Sequence, residues 1–132
     1  MPTSAAPPST KKPGARILLV EDHEDTRTTL RRLLSRRGHS MLVASTVEEA
    51  LAIAAREPID LLVSDIGLPD GSGLDLIRSL RDLYPDLKAI ALSGFGLEED
   101  VGQSVRAGFA EHLTKPVNLQ QLEDAIARLV KS

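Results

Sequence analysis

The sequence predicts a single α/β domain in which a parallel sheet is covered by helices on both faces. Five short apolar runs follow one another from Arg16 onward, and none shows the polar alternation of a half-exposed strand. Each run is followed by a longer segment whose apolar residues recur at helical spacing. The 132 residues, of which 42% are hydrophobic and 27% charged, are enough for one hydrophobic core. Repeated alternation of this kind favours a (βα)5 architecture.

The first repeat places a buried strand at 17–20. The helix that follows has an apolar stripe of Leu30, Leu33 and Leu34, and Gly38 is expected to end it. The second repeat places a strand at 41–44 and then a helix.

Three features mark the second helix. Either Ser45 or Thr46 is expected to cap its start, since acidic residues follow in the first turn. The helix runs to about Arg56, and Pro58 marks its end.

The third repeat begins with a strand at 59–64 that leads directly to Asp65. The turn at 69–71 then starts a helix that Pro85 closes. The inward residues of this helix are Leu76, Ile77 and Leu80.

The last two repeats are shorter. A strand at 89–92 is followed by a loop at 93–96 and a weakly patterned helix at about 98–107. A fifth strand at 111–113 precedes the last helix, for which Asn118 is the expected cap. The apolar stripe of this helix is Leu122, Ala125, Ile126, Leu129 and Val130.

Residues 1–14, with four prolines and four Ser or Thr, are interpreted as a flexible tail or linker, which leaves 15–132 as the domain. The chain has no cysteine, and no apolar run approaches the length of a membrane span. The net charge of −3 gives no electrostatic reason to bind a polyanion. We therefore expect a cytoplasmic protein without a membrane segment or a nucleic-acid partner.

Polar side chains gather where the predicted strands end. Glu21 and Asp22 follow the first strand, Asp65 the third, Ser93 the fourth and Lys115 the fifth. Ligands of open parallel sheets bind at this edge, outside the carboxyl ends of the strands. Three carboxylates repel one another unless a cation neutralises them, and oxygen ligands favour Mg²⁺. A lysine can bind a phosphate oxygen, and an aspartate can attack phosphorus.

Four segments in this order, LLVEDHEDTR, LVSDIGLPDGSGLDL, IALSGFG and AGFAEHLTKPV, resemble the successive signatures of the response-regulator receiver family. The resemblance extends over about 16–131. It implies a flavodoxin-like doubly wound fold with a five-stranded parallel sheet of order 2-1-3-4-5.

The resemblance also implies roles for the residues at this edge. Asp65 resembles the phosphoacceptor of the family. Asp22 resembles a direct ligand of Mg²⁺ and Glu21 a ligand that acts through water. Asp65 itself and the backbone carbonyl of Gly67 complete the protein ligands that the family would supply.

Ser93 resembles the hydroxyl that binds the phosphoryl group and moves on activation, and Lys115 resembles the lysine of the family's site. The Lys115–Pro116 peptide bond is cis in similar proteins. His112 stands where many members have Tyr or Phe, and it is the candidate switch residue. No role is predicted for His23 or His39.

The implied function is that of a two-component receiver. Its phosphoryl donor would be a sensor histidine kinase or a histidine phosphotransfer protein, and its only reactions would be its own phosphorylation and dephosphorylation. The changed surface of the fourth helix, fifth strand and fifth helix would carry the signal, with a phosphorylation-dependent homodimer as one form of output. The sequence does not indicate the downstream target.

Several alternatives remain open at this point. The alternative function is that of a phosphorelay intermediate or of the C-terminal receiver module of a hybrid histidine kinase, whose receivers this sequence also resembles. A Mg²⁺-dependent aspartyl-phosphate phosphatase would need a second aspartate two residues after Asp65, where Gly67 stands. An FMN carrier would need a phosphate-binding loop in place of the acidic one after the first strand. The arginines of the first helix, Arg27 among them, are interpreted as a solvated face, and contact with an acidic kinase surface is the alternative.

Overall fold

The sheet has five parallel strands in the order β2-β1-β3-β6-β7, and a separate two-stranded hairpin pairs β4 with β5. The computed structural model describes residues 14–94 and 105–130. The strands are β1 Arg16–Val20, β2 Ser40–Ala44, β3 Leu61–Asp65, β4 Gly67–Leu68, β5 Gly71–Ser72, β6 Lys88–Ser93 and β7 Glu111–Thr114. When the hairpin is set aside, this is the predicted order 2-1-3-4-5, and the predicted fold is confirmed.

Helices cover both faces of the sheet. They are α1 Glu24–Arg36, α2 Val47–Arg56, α3 Gly73–Leu83 and the C-terminal helix Leu119–Val130. Residues 105–107 are also helical and coincide with the end of the predicted fourth helix. The rest of that helix and most of the loop before it lie outside the described residues, as does nearly all of the predicted tail.

Strand β1 shows why the chain folds into three layers. Leu18 and Val20 pack on one face of the sheet with α2 and α3, and Ile17 and Leu19 pack on the other face with α1 and the C-terminal helix. All four side chains are fully buried. Because successive residues of a strand point to opposite faces, an uninterrupted apolar run is required where both faces are covered.

Capping residues mark the ends of three helices at the positions that the sequence predicts. Gly38 has φ +97°, and the N–H groups of Gly38 and His39 donate to carbonyls in the last turn of α1. Thr46 Oγ1 accepts a hydrogen bond from the Glu49 N–H at 3.0 Å, and Asn118 Oδ1 accepts one from Gln121. These three predicted boundaries are confirmed.

The predicted start of the third strand is wrong, because β3 begins at Leu61 rather than at residue 59. The Asp60 N–H does donate to the Arg16 carbonyl, but the Asp60 carboxylate accepts the Arg16 N–H, and this side-chain bond takes the place of a strand pairing. Pro58, which has no N–H, also precedes this point.

Within the part of the chain that the structure describes, no helix combines the length and the apolar character needed to cross a membrane.

Candidate functional site

The ends of four strands bring the predicted polar residues to one edge of the sheet. Glu21 follows β1, whereas Asp65 is the last residue of β3 and Ser93 the last of β6. Lys115 follows β7, and its N–H donates to the Ser93 carbonyl at 2.7 Å. The register of β3, β6 and β7 therefore places Asp65, Ser93 and Lys115 side by side.

The Lys115 ammonium lies between two buried carboxylates. Its Nζ atom is 2.8 Å from Glu21 Oε1 and 2.8 Å from Asp65 Oδ1. Glu21 has no exposed surface and Asp65 is 3% exposed, so both ion pairs are shielded from water. Since two carboxylates face one ammonium, the three groups would carry an excess negative charge if all were ionised.

The main chain of Asp65 is fixed by close packing against the start of α3. A Cβ atom on Gly73 would lie 2.2 Å from the Asp65 carbonyl oxygen, so only glycine fits this approach. The Gly73 N–H donates to the Ile66 carbonyl, and the Ser64 hydroxyl donates to the Asp65 carbonyl at 2.8 Å. These contacts fix the main chain at the end of β3, from which the Asp65 carboxylate projects.

Burial and the hydrogen bonds within this cluster change the pKa values of both acids. Burial and the neighbouring Glu21 carboxylate raise the pKa of Asp65 to about 8, although Lys115 opposes the change. Burial would by itself raise the pKa of Glu21, but hydrogen bonds from Asp65, Lys115 and the His23 N–H hold it below its usual value. The pKa of Lys115 is raised, because hydrogen bonds to both carboxylates outweigh the opposing effect of its burial. Asp65 is therefore the weaker acid of the two carboxyl groups.

Asp22 and His23 extend the site toward solvent. One carboxylate oxygen from each of Glu21 and Asp22 and a ring nitrogen of His23 lie within 4.8 Å of one another. The Glu21 and Asp22 side chains differ in exposure, at 0% and 34%. No role was predicted for His23, although its position directly after two acidic residues is a signal for a metal ligand.

Ser93 and His112 form a second contact at this edge. Ser93 Oγ lies 2.8 Å from His112 Nε2, and Ser93 is buried at 6% exposure. The contact joins the end of β6 to the middle of β7. His112, the candidate switch residue, thus lies within hydrogen-bonding distance of Ser93, the residue that is expected to move on activation.

The two remaining predicted residues lie in the adjoining loops. Gly67 begins the hairpin two residues beyond Asp65, is exposed, and has open space where a side chain would be. The Lys115–Pro116 peptide bond is cis.

Two further side chains support the site, and neither role was predicted from the sequence. The Arg27 guanidinium, interpreted above as part of a solvated face, donates to the Glu21 carbonyl at 3.0 Å. The Asp70 carboxylate accepts the N–H groups of Val47 and Glu48, and these bonds hold the pKa of Asp70 below its usual value. Asp70 therefore ties the loop after β3 to the first turn of α2.

The donor set fits a hard divalent cation. Glu21, Asp22 and Asp65 carry carboxylate oxygens, and burial beside the Glu21 carboxylate raises the pKa of Asp65 although Lys115 opposes the change. Mg²⁺ is bound by one or two carboxylates together with waters, and such an arrangement needs a partly open site. The exposed Asp22 and Gly67 provide this opening, whereas Glu21 and Asp65 form the buried floor.

Comparison with known proteins agrees with the resemblance drawn from the motifs. Residues 17–127 match the family described as "Response regulator receiver domain". The chain is 43% identical over 108 residues to an uncharacterized 14.6 kDa protein of Leptolyngbya boryana, covering 80% of this chain and 82% of that one. It is 35% identical over 116 residues to the response regulator protein PilR of Pseudomonas aeruginosa, covering 88% of this chain but 26% of PilR.

Solved structures of receiver domains have the same fold. The non-phosphorylated HemR receiver domain of Leptospira biflexa superposes with a TM-score of 0.82 at 31% identity, covering 92% of this chain and 96% of that one. A receiver domain protein of Clostridium thermocellum gives a TM-score of 0.82 at 29% identity over 89% of this chain and 94% of that one. The chain belongs to the response regulator receiver domain family. It spans about a quarter of PilR, so it corresponds to one part of that longer regulator.

Proposed function

We propose that this receiver takes a phosphoryl group from a phosphohistidine donor onto Asp65 in a reaction that depends on Mg²⁺. The observation that carries the proposal is the position of the Asp65 carboxylate, which is buried at the end of β3 with its Oδ1 2.8 Å from Lys115 Nζ. A nucleophilic carboxylate needs a fixed orientation and a cation beside the incoming oxygens, and this corner supplies both.

The transfer step is a displacement at phosphorus. An Asp65 carboxylate oxygen forms a bond to phosphorus while the bond from phosphorus to the donor's histidine nitrogen breaks. The histidine leaves with the electron pair of that bond, as neutral imidazole when its other nitrogen carries a proton. The product is an acyl phosphate on Asp65, and the Lys115 ammonium is placed to donate hydrogen bonds to its oxygens.

Asp65 must lose its proton before it can attack. Its pKa of about 8 means that much of it is protonated near neutral pH when only Lys115 compensates the two acids. A Mg²⁺ ion held by Glu21, Asp22, Asp65 and the Gly67 carbonyl would supply the missing positive charge and neutralise phosphoryl oxygens. Cation dependence thus follows from the charge balance of the site.

The surface beside Lys115 suits a donor protein that presents a histidine ring. A groove of about 590 Å³ runs between α1 and the loop after β7, and Lys115 is one of its lining residues. The other lining residues are His23, Asp25, Thr26, Thr29, Leu30, Pro116 and Val117. We infer that a sensor histidine kinase or a histidine phosphotransfer protein docks here, in the cytoplasm. The net charge of −3 supports the absence of nucleic acid among direct partners.

Output is proposed to pass through the contact between Ser93 and His112. A Ser93 hydroxyl that moves to donate a hydrogen bond to a phosphoryl oxygen would change its 2.8 Å contact with His112 Nε2, and with it the surface of β7. The helices that flank β7 would share in that surface, which would also serve a phosphorylation-dependent homodimer. Apart from its own phosphorylation and dephosphorylation, the chain would catalyse no reaction.

The decisive experiment compares aspartates at the two ends of β3. The chain is incubated with acetyl phosphate or phosphoramidate, with and without Mg²⁺, and its intact mass is measured. The parent and Asp60→Asn should gain one phosphoryl group only when Mg²⁺ is present, whereas Asp65→Asn should gain none. Labelling of Asp65→Asn at the parental level would show that the acceptor is a different residue.

A further inference from the structure

We propose that His23 is an additional ligand of the divalent cation at this site, through its Nδ1 atom. Its presence would give the site a selective affinity for Zn²⁺ and similar first-row ions that the carboxylates alone do not provide. This inference rests on the cation site of the proposed function and goes further by naming a nitrogen donor and the class of ion that it favours.

The spacing of the donor atoms supports a shared ion. His23 Nδ1 lies 3.4 Å from Glu21 Oε2 and 3.7 Å from Asp22 Oδ1. Two ligands that bind one Zn²⁺ tetrahedrally at about 2.1 Å are separated by roughly 3.4 Å. Because the three ligand atoms all lie within 4.8 Å of one another, one ion can contact all three side chains after side-chain rotations.

The main chain of His23 is held next to the Glu21 carboxylate. His23 occupies the N-cap position of α1, and its N–H donates to Glu21 Oε2 at 3.0 Å. The ring makes no capping hydrogen bond to the helix, and its side chain is 74% exposed. Its Nδ1 atom also lies 3.4 Å from the same Glu21 oxygen, so the ring faces the carboxylates while remaining accessible to an ion from solvent.

The chemistry of the donors predicts which ions should respond. Imidazole nitrogen binds Zn²⁺, Ni²⁺ and Cu²⁺ well, whereas Mg²⁺ prefers oxygen ligands and retains several waters. Mg²⁺ bound at Asp22 and Asp65 would thus gain little from His23. Zn²⁺ would gain a strong ligand and would bind more weakly when the imidazole is replaced. Comparing the affinities for Zn²⁺ and Mg²⁺ therefore distinguishes the contribution of His23 from that of the carboxylates.

The test uses Zn²⁺ and Mg²⁺ titrations of the parent and of His23→Gln, which keeps a polar side chain of similar length. Isothermal titration calorimetry gives the two dissociation constants, and ¹⁵N NMR of the imidazole rings identifies the binding nitrogen. His39 is an internal control, because its Nδ1 accepts the Ala15 N–H at 3.1 Å and is not open to an ion. His112 is the third and last histidine of the chain and serves in the same way.

We expect His23→Gln to weaken Zn²⁺ binding by about tenfold or more and to leave Mg²⁺ binding unchanged. Zn²⁺ should shift the Nδ1 resonance of His23 and neither control ring. Equal Zn²⁺ affinity in the two proteins, with Mg²⁺ still bound, would overturn the role of His23 and leave the proposed function intact. The same conclusion would follow if Zn²⁺ shifted only His39 or His112. If the parent bound neither ion, the cation site itself would be wrong.

Discussion

The two ends of strand β3 carry aspartates in opposite surroundings. Asp60, just before the strand, is exposed and accepts the Arg16 N–H at 2.9 Å. Asp65, at the other end, is buried and faces Glu21 and Lys115. The first carboxylate satisfies a main-chain group, whereas the second faces other charges.

The same contrast exists between the amino edge of the sheet, where the strands begin, and the carboxyl edge, where they end. Near the amino ends of the strands, the Tyr84 hydroxyl donates to the carbonyls of Ala54 and Glu57, and His39 accepts the Ala15 N–H. At the carboxyl ends, one ammonium serves two buried carboxylates. Polar groups at the amino edge thus stabilise the fold, while those at the carboxyl edge keep an excess negative charge that a cation can neutralise. Substitutions at the two edges should therefore have separable effects.

The largest difference should appear in the response to Mg²⁺. An ion that binds only the native state at a hundred times its dissociation constant stabilises it by about 2.7 kcal/mol. The melting temperature of the parent and of Asp60→Asn should rise accordingly. In Asp22→Asn the melting temperature without metal should be higher than in the parent, because one repelling charge is gone, and most of the rise with Mg²⁺ should disappear. An undiminished rise in Asp22→Asn would exclude this residue as a ligand.

The pH dependence of stability should also distinguish the two ends of β3. The pKa of Asp65 is about 8 in the folded state, above its ordinary value of 3.8. The stability that this group contributes is therefore complete below its ordinary pKa and is lost as the pH rises through 8.

Without metal, the free energy of unfolding of the parent should fall relative to that of Asp65→Asn between about pH 6 and about pH 9. Chemical denaturation at the two pH values measures this difference. Asp60→Asn should follow the parent, and saturating Mg²⁺ should flatten the parent's curve. A parent and an Asp65→Asn variant with parallel profiles would show that the pair of acids does not share a proton.

At the amino edge, Tyr84→Phe should lower the free energy of unfolding by about 1 kcal/mol, because it removes one donor shared by two carbonyls. The rate and extent of phosphorylation by phosphoramidate should stay at the parental level. Denaturant titration and mass spectrometry measure the two effects on the same sample. A loss of phosphorylation without a loss of stability would contradict the separation of the two edges.

Local patterns were sufficient to predict most of the fold. Runs such as 17–20 have to be strands buried on both faces, and caps such as Thr46 and Asn118 act within three residues of their own position. The edge at which Asp65 and Lys115 meet also follows from the parallel topology, since all strands end on the same side.

Local sequence patterns could not predict contacts between segments that are distant in the chain. Asp70 was predicted only as part of a turn, yet its carboxylate caps α2, more than twenty residues earlier in the chain. The sequence likewise placed Lys115 at the right edge without showing that it would lie between both carboxylates. These pairings depend on the packing of whole elements, and spacing along the chain does not encode them.

The smallest effect that we predict concerns the contact between Ser93 and His112, which connects the carboxyl edge to the surface of β7. The Ser93 Oγ to His112 Nε2 distance of 2.8 Å is that of a full hydrogen bond, and one such bond contributes about 1 kcal/mol net. His112→Phe removes it and keeps an aromatic ring in place. His112→Tyr restores a polar group at the end of the ring.

Phosphorylation of Asp65 should proceed in all three proteins, because these substitutions leave in place Lys115, whose Nζ lies 2.8 Å from Asp65 Oδ1. The response of β7 should differ, since a change at Ser93 reaches it through this bond. Beryllofluoride, which mimics the phosphoryl group, should shift the backbone amide resonances of residues 111–114 in the parent and shift them less in His112→Phe. His112→Tyr should recover part of the response. Equal shifts in the parent and in His112→Phe would show that β7 senses the phosphoryl group by a route that does not pass through His112.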